Sequence, residues 1–241
     1  MRQRLMIALS VVWLSSAGFA AEIDWPMEPM EPDLENLPSL QNGLRLFTNY
    51  CLGCHSLRFQ RYERTADDLG IPHFVVMETV VFTGQKIGAL MTTAMDPEKA
   101  KNWFGAPPPD LTLVTRARSP EWVYNYLKTF YIDDTRPFGV NNKVFANVGM
   151  PHALFELQGV QVDTCKPRVK GCYQLAVQEG SGLYSPEEYD QAVYDLVNFL
   201  YYVGEPARLE RQRLGIFVLL FLVILGVFTY LLNREYWKDV H

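Results

Sequence analysis

Nineteen consecutive residues, Leu214 to Leu232, carry no charge, and such a run most constrains what this chain can become. As a helix at ~1.5 Å per residue it spans about 28 Å, close to the roughly 30 Å hydrocarbon core of a bilayer. It is built from Leu, Ile, Val and Phe, admits Gly215 and Gly226, and meets no polar side chain until Thr229. Tyr230, Tyr236 and Trp237 stand near its exit, where interfacial aromatics are expected. A buried core helix of this length would carry more polar residues, so a single membrane span is the expected structure.

The opposite end is also apolar but of another kind. Arg2 and Arg4 precede a ten-residue apolar region, Leu5 to Leu14, and Gly18-Phe19-Ala20 follows as a small-x-small site. That order is the signature of an export signal cleaved after Ala20. Three arginines (Arg208, Arg211, Arg213) precede the span and two bases (Arg234, Lys238) follow it, a weak charge bias toward the reverse orientation. An exported N-terminus outranks it, because one span must then leave the C-terminus in the cytoplasm. The expected division is a signal at 1–20, an acidic extended arm at 21–38, a domain outside the cytoplasm at 39–207, a transmembrane helix at 208–233 and a cytoplasmic tail at 234–241.

The mean hydropathy of −0.05 averages these apolar ends with a polar middle. Residues 21–207 hold fifteen basic and twenty-four acidic side chains, a net of −9. A surface of that sign does not suit nucleic acid, and it suits the steering of a positively charged partner. Residues 22–36 carry six acids, three prolines and no base, hence the extended arm, read as solvated in preference to one that docks a basic partner. Leu40, Leu44, Phe47 and Tyr50 recur at helical spacing behind Ser39 as an N-cap. Residues 57–83 read as mainly helical, with Pro72 starting a second segment, and 105–120 as loop. Ser119-Pro120-Glu121 opens a helix through Phe130, and 132–182 reads as irregular with short strands at most. Ser185-Pro-Glu-Glu188 is a capping box ahead of the apolar stripe Tyr189, Ala192, Val193, Leu196, Phe199, Leu200 and Val203. The fold class is therefore mainly α, a domain with long loops whose last helix hands over to the span.

Within this frame Cys51-Leu-Gly-Cys54-His55 carries the chemistry. On a helical turn these three positions share one face, so two thiols reach the two vinyl groups on one edge of a haem and the imidazole reaches its iron. Attachment of this c type belongs outside the cytoplasm, where the export signal sends the chain. A thioredoxin-like pair would sit near a βαβ pattern, which is missing, and a zinc site would need Cys165 and Cys172, whose gap is too wide. Those two cysteines are instead expected to form a disulfide, closing a short loop for about 2.5 kcal/mol. For a second axial ligand the candidates are His73, His152, Met77, Met91, Met95 and Met150. Met150 stands out in Asn147-Val-Gly-Met-Pro151, where Gly149 and Pro151 favour a fixed, non-helical backbone, and His152 remains its competitor. Methionine ligation raises the potential of a histidine-bound haem and suits an electron carrier.

Taken in order, CLGCHS at 51–56, NWFGAPPPDLT at 102–112, RAR at 116–118, NVGMPH at 147–152, and SPEEYDQAVYDLVNFLYYVGEP before one C-terminal span resemble the cytochrome c1 family, the haem subunit of bacterial cytochrome bc1 complexes. The resemblance covers nearly the whole mature chain. It implies a cytochrome c-like haem domain with one covalently bound haem c, His55 as proximal and Met150 as distal iron ligand. It further implies Pro109 packed near the haem and Arg118 meeting a propionate, with Arg116 as the competing choice. Trp122 stands where family members often have another aromatic. The implied partners are cytochrome b, a Rieske iron–sulfur protein as electron donor, a soluble or membrane-attached c-type cytochrome as acceptor, and membrane lipid. The implied place is the bacterial inner membrane with the haem domain in the periplasm, as a redox subunit without catalysis of its own. A membrane-anchored, peroxidase-like monohaem enzyme is the alternative and would need an open sixth position. A haem sensor would need an output domain, for which the nine residues after Leu232 leave no room.

Overall fold

The computed structural model describes residues 25–165 and 172–239. The export signal expected at 1–20 lies outside the described residues. Asn36 opens the first helix, α1 (Leu37–Tyr50), its side chain accepting from the Ser39 N–H at 3.2 Å, with Pro38 in the first turn. Ser39, the cap expected from sequence, lies one turn inside, and its hydroxyl donates instead to buried Asp195 at 2.6 Å. The chain then enters β1 (Leu57–Arg61), whose buried residues are Leu57 and Gln60. The helical reading of 57–83 is thus corrected at its start, and helix begins only at α2 (Tyr62–Asp68), followed after Pro72 by α3 (His73–Thr79). β2 (Leu90–Met91) pairs antiparallel with β1.

Next comes α4 (Pro97–Phe104), capped by the Asp96 carboxylate and closed by Gly105 at φ 81°, where a side chain would be strained. After α5 (Val114–Ala117), Ser119 caps α6 (Pro120–Lys128) by accepting from the Trp122 N–H at 3.0 Å. α6 stops two residues before Phe130, because Phe130 starts β3 (Phe130–Ile132), paired antiparallel with β4 (Val140–Asn142). Then follow α7 (Phe155–Gln158) and the hairpin of β5 (Gln161–Asp163) with β6 (Leu175–Val177). Cys165 and Cys172 are joined by a disulfide across that hairpin, with Cα atoms 5.7 Å apart. Ser185 and Glu188 form a complete capping box on α8 (Pro186–Gly204), and α9 (Arg208–Tyr236) ends the described chain.

The core is the crossing of α1 with α8. Leu40, Leu44 and Phe47 of α1 and Val193, Leu196, Phe199 and Leu200 of α8 are each no more than 2% exposed. Burying each such side chain contributes about 1.5–3 kcal/mol, less for Val than for Phe. The two backbones meet at Gly43, where a Cβ would lie 2.1 Å from the Asp195 carbonyl oxygen and 2.5 Å from the Phe199 Cβ. Asp195 is 5% exposed and is held by three neutral donors: Ser39, Asn42 at 2.7 Å and Gln191 at 2.9 Å.

Residues 26–33 have no regular secondary structure, yet they are fastened to the domain. Asn125 of α6 pairs with both the N–H and the C=O of Glu28, at 2.9 and 2.8 Å. Asn198 of α8 does the same for Asp33, at 3.0 and 2.8 Å. Lys128 adds an ion pair to Glu28, and Met30 of this segment is buried. A free, solvated arm is therefore not what residues 26–33 form.

No residue of α9 is buried, and its mean hydropathy reaches 2.8. Among the described residues it is the one helix long and apolar enough to cross a membrane. At its root Glu205 accepts from Arg116 at 3.0 Å and from the Arg211 Nε at 2.7 Å, tying the α5 segment to the start of α9.

Candidate functional site

The turn that follows α1 carries the CxxCH motif. The N–H of Cys51 bonds the Phe47 carbonyl at 2.9 Å and that of His55 bonds the Cys51 carbonyl at 2.8 Å, so the helical spiral runs on through the motif. Cys51 and Cys54 are free thiols, one buried and the other half-buried. Burial pushes the Cys51 thiol up to about 12, with Cys54 adding to it, and burial also raises Cys54. Among the described residues the sheets are two-stranded and antiparallel, so the motif has no βαβ unit beside it, and the direction of these shifts is opposite to that of an activated dithiol. The zinc reading fails because Cys165 and Cys172 are consumed in their disulfide.

His55 is 9% exposed, and its Nδ1–H donates to the Pro109 carbonyl oxygen at 2.7 Å. A carbonyl only accepts, so the proton must sit on Nδ1, and Nε2 keeps its lone pair for a metal. Burial holds this imidazole below the usual histidine range, against the Pro109 carbonyl and the Asp110 carboxylate, which act the other way. The segment bearing Pro109 is stitched to the motif. Leu111 N–H donates to the Ser56 carbonyl at 2.9 Å, and the Asp110 carboxylate accepts from Arg58 N–H at 2.8 Å and Thr112 N–H at 3.0 Å. Pro109 was read from sequence as a packing residue; the structure adds its carbonyl as the group that orients His55.

Met150 belongs to a second cluster, packed against Phe130, Val140 and Val148. Two asparagines shape its loop. Asn142, 1% exposed, accepts from the Val144 and Phe145 N–H groups at 2.9 Å and donates to the Tyr126 carbonyl at 2.7 Å. Asn141 accepts at 2.8 Å from the N–H of Asn147, which sits at φ 60°. Asn141 and Asn142 escaped the sequence reading, since an amide that organises a loop follows no periodicity. The Tyr126 hydroxyl donates to the Met150 sulfur at 3.4 Å. Tyr126 stacks on Trp122 at 5.0 Å, and the Arg118 guanidinium lies 5.0 Å from the centre of the Trp122 ring. Arg118, Trp122, Tyr126 and Met150 thus form one continuous chain of contacts, whereas Arg116 is engaged with Glu205.

The other ligand candidates are occupied elsewhere. His152 stacks on Phe130 at 4.8 Å and shares a 2.6 Å hydrogen bond with Gln158 Oε1, and burial lowers it to about 4. His73 pairs with Asp67 at 2.7 Å on the surface. Met91 is fully buried in the main core. Met77 is 38% exposed on α3, and Met95 is half-buried in a loop. The donor set therefore fits a c-type haem: two unbridged thiols three residues apart, a histidine with a free Nε2, and a thioether on a braced loop.

A family model described as the Cytochrome C1 family matches residues 84–240, a span that begins after the CxxCH motif. The cytochrome c1 of Allochromatium vinosum is 49% identical, covering 99% of this chain and 100% of that one. A protein named ammonia monooxygenase gamma subunit, from Nitrosomonas europaea, is 42% identical over 98% of this chain and 97% of its own. A Bradyrhizobium diazoefficiens protein named cytochrome b/c1 is 27% identical over 84% of this chain, which spans 33% of that longer one.

Proposed function

The chain belongs to the cytochrome c1 family, whose members are electron-transfer subunits of bc1 complexes, and from that premise we propose how its own residues serve the transfer. Cys51 and Cys54 would hold one haem c through thioether links, and His55 and Met150 would supply a nitrogen and a sulfur donor to its iron. The haem supplies a one-electron iron couple. His55 is oriented by the Pro109 carbonyl, which fixes the ring and strengthens Nε2 as a donor. Met150 is presented by a loop that Asn141 and Asn142 hold. Arg118, free of the ion pair that engages Arg116, offers its guanidinium to a propionate. Two such strong donors would leave the iron no open position for a substrate, which supports a redox subunit without catalysis of its own.

The partners follow from the same premise. Cytochrome b and a Rieske iron–sulfur protein stand on the donor side, and the relative named cytochrome b/c1 supports the first of these. A soluble or membrane-attached c-type cytochrome is the acceptor, drawn by the net charge of −9 on residues 21–207. The export signal at 1–20 places residues 21–207 in the periplasm, α9 crosses the inner membrane among its lipids, and the C-terminal tail is cytoplasmic. The observation that carries the reading is the 2.7 Å contact of His55 Nδ1 with Pro109, which readies the imidazole beside two free thiols.

Purification of the tagged full chain from membranes in mild detergent tests it. The expected recovery is a haem that stays on this chain through denaturing electrophoresis, together with cytochrome b and a Rieske protein. A second reading, service in a monooxygenase assembly, rests on the printed name of the Nitrosomonas relative. Recovery with monooxygenase subunits and without cytochrome b would replace the first reading by the second.

A further inference from the structure

We infer that the Tyr126 hydroxyl is a positioning residue for Met150, setting both the rotamer of the thioether and its strength as a donor to iron. The inference rests on Met150 serving as the axial ligand. Tyr126 is held on several sides. Its ring stacks on Trp122 at 5.0 Å and 10°, and meets Phe130 edge-on at 5.2 Å. Its backbone carbonyl accepts from the fully buried Asn142 at 2.7 Å. The hydroxyl therefore cannot swing away, and it aims at the Met150 sulfur from 3.4 Å, an ordinary distance for a sulfur acceptor.

A thioether sulfur has two lone pairs. One can bind a metal while the other accepts this O–H, so the hydrogen bond and ligation are compatible at one atom. A proton donor on the second lone pair withdraws charge from the sulfur. Oxidised iron depends more on donation from its ligands than reduced iron does, so a weakened donor favours the reduced state and raises the potential. Hydrogen bonds to ligand atoms are a recognised lever on haem and cluster potentials. The same bond restricts the Met150 side chain, which is otherwise flexible about three torsions.

Tyr126→Phe, Tyr126→Leu and Met150→Ala in the full detergent-solubilised chain test this by potentiometry and absorption spectroscopy. Tyr126→Phe keeps the ring and loses only the O–H. It should retain the methionine–iron charge-transfer band, and at the wild-type midpoint its oxidised-to-reduced ratio should rise about threefold, as befits loss of one modest hydrogen bond. Tyr126→Leu should show the same shift with a lower unfolding midpoint, because the stack on Trp122 is lost too. Met150→Ala should lose the band. An unchanged or raised midpoint in Tyr126→Phe overturns the role of the hydroxyl and leaves the ligand standing. A band that survives Met150→Ala overturns the ligand itself, and with it the route by which Tyr126 would act.

Discussion

Asn142 is a small residue with a large share in the geometry of the site. Its amide is 1% exposed, and it accepts two backbone N–H groups of the Met150 loop and donates to the Tyr126 carbonyl. Replacing it by alanine strands these groups where water reaches them poorly. Each unsatisfied buried group costs about 1–3 kcal/mol, offset in part by solvation of the more exposed Phe145 end. Asn142→Ala should therefore lower stability by about 2–3 kcal/mol in denaturant titration and blunt the methionine–iron band. A variant that unfolds at the wild-type denaturant concentration would show that the loop holds itself. Residue chemistry was legible from sequence where side chains alone define it. Cys51, Cys54 and His55 stand at the spacing of c-type haem attachment, and Gly149 and Pro151 mark Met150 as a loop methionine. What sequence did not disclose is carried by backbone acceptors and by amides. The Pro109 carbonyl exists whatever residue stands at 109, and only the fold shows that His55 points at it. His152 and Met150 are rivals in sequence, and what favours Met150 in the proposed site is that His152 is stacked on Phe130 and hydrogen-bonded to Gln158.

At the scale of elements, the crossing of α1 and α8 decides whether the CxxCH turn is held in place, because that turn is the continuation of α1. Gly43 is the closest point of the two helices. A Cβ there would stand 2.1 Å from a backbone oxygen, which cannot turn aside as a side chain would. Gly43→Ala should force the helices apart and cost about 3 kcal/mol, the upper end of overpacking penalties. The gain in helix propensity from Gly to Ala, about 1 kcal/mol, is too small to offset this. The measurement is the unfolding midpoint of the holoprotein, and an equal or higher midpoint for Gly43→Ala would mean that the crossing is looser than it looks. α8 was legible because Ser185, Pro186 and Glu188 and its apolar stripe all agree. The start of α1 was misplaced because Asn36 and Ser39 both precede apolar residues, and only the demand of buried Asp195 shows which one is free to cap. β1 was read as part of a mainly helical stretch, and its two buried residues, Leu57 and Gln60, lie three apart, a spacing that helix and short irregular strand share.

For the molecule as a whole, the question is how far the haem domain depends on its anchor. No residue of α9 is buried, so its removal takes no side chain out of the core. What it contributes is a pair of arginines at its root, Arg208 and Arg211, that join Arg116 on Glu205. Their side chains are 36% and 63% exposed, and pairs so open to solvent are worth about 0–1 kcal/mol each. Arg116 would keep Glu205 after they are gone. The strap at 26–33, the α1–α8 crossing and both halves of the site lie wholly before residue 206. A chain ending at Pro206 should consequently appear in the soluble fraction with its haem, and should unfold within about 4 °C of the full chain in the same detergent. Its absorption spectrum should match, since neither His55 nor Met150 has a contact in α9. Should the shortened chain lose its haem or its cooperative unfolding, α9 would have to be part of the domain's own core, and the exposed face of that helix would need a partner inside this same chain.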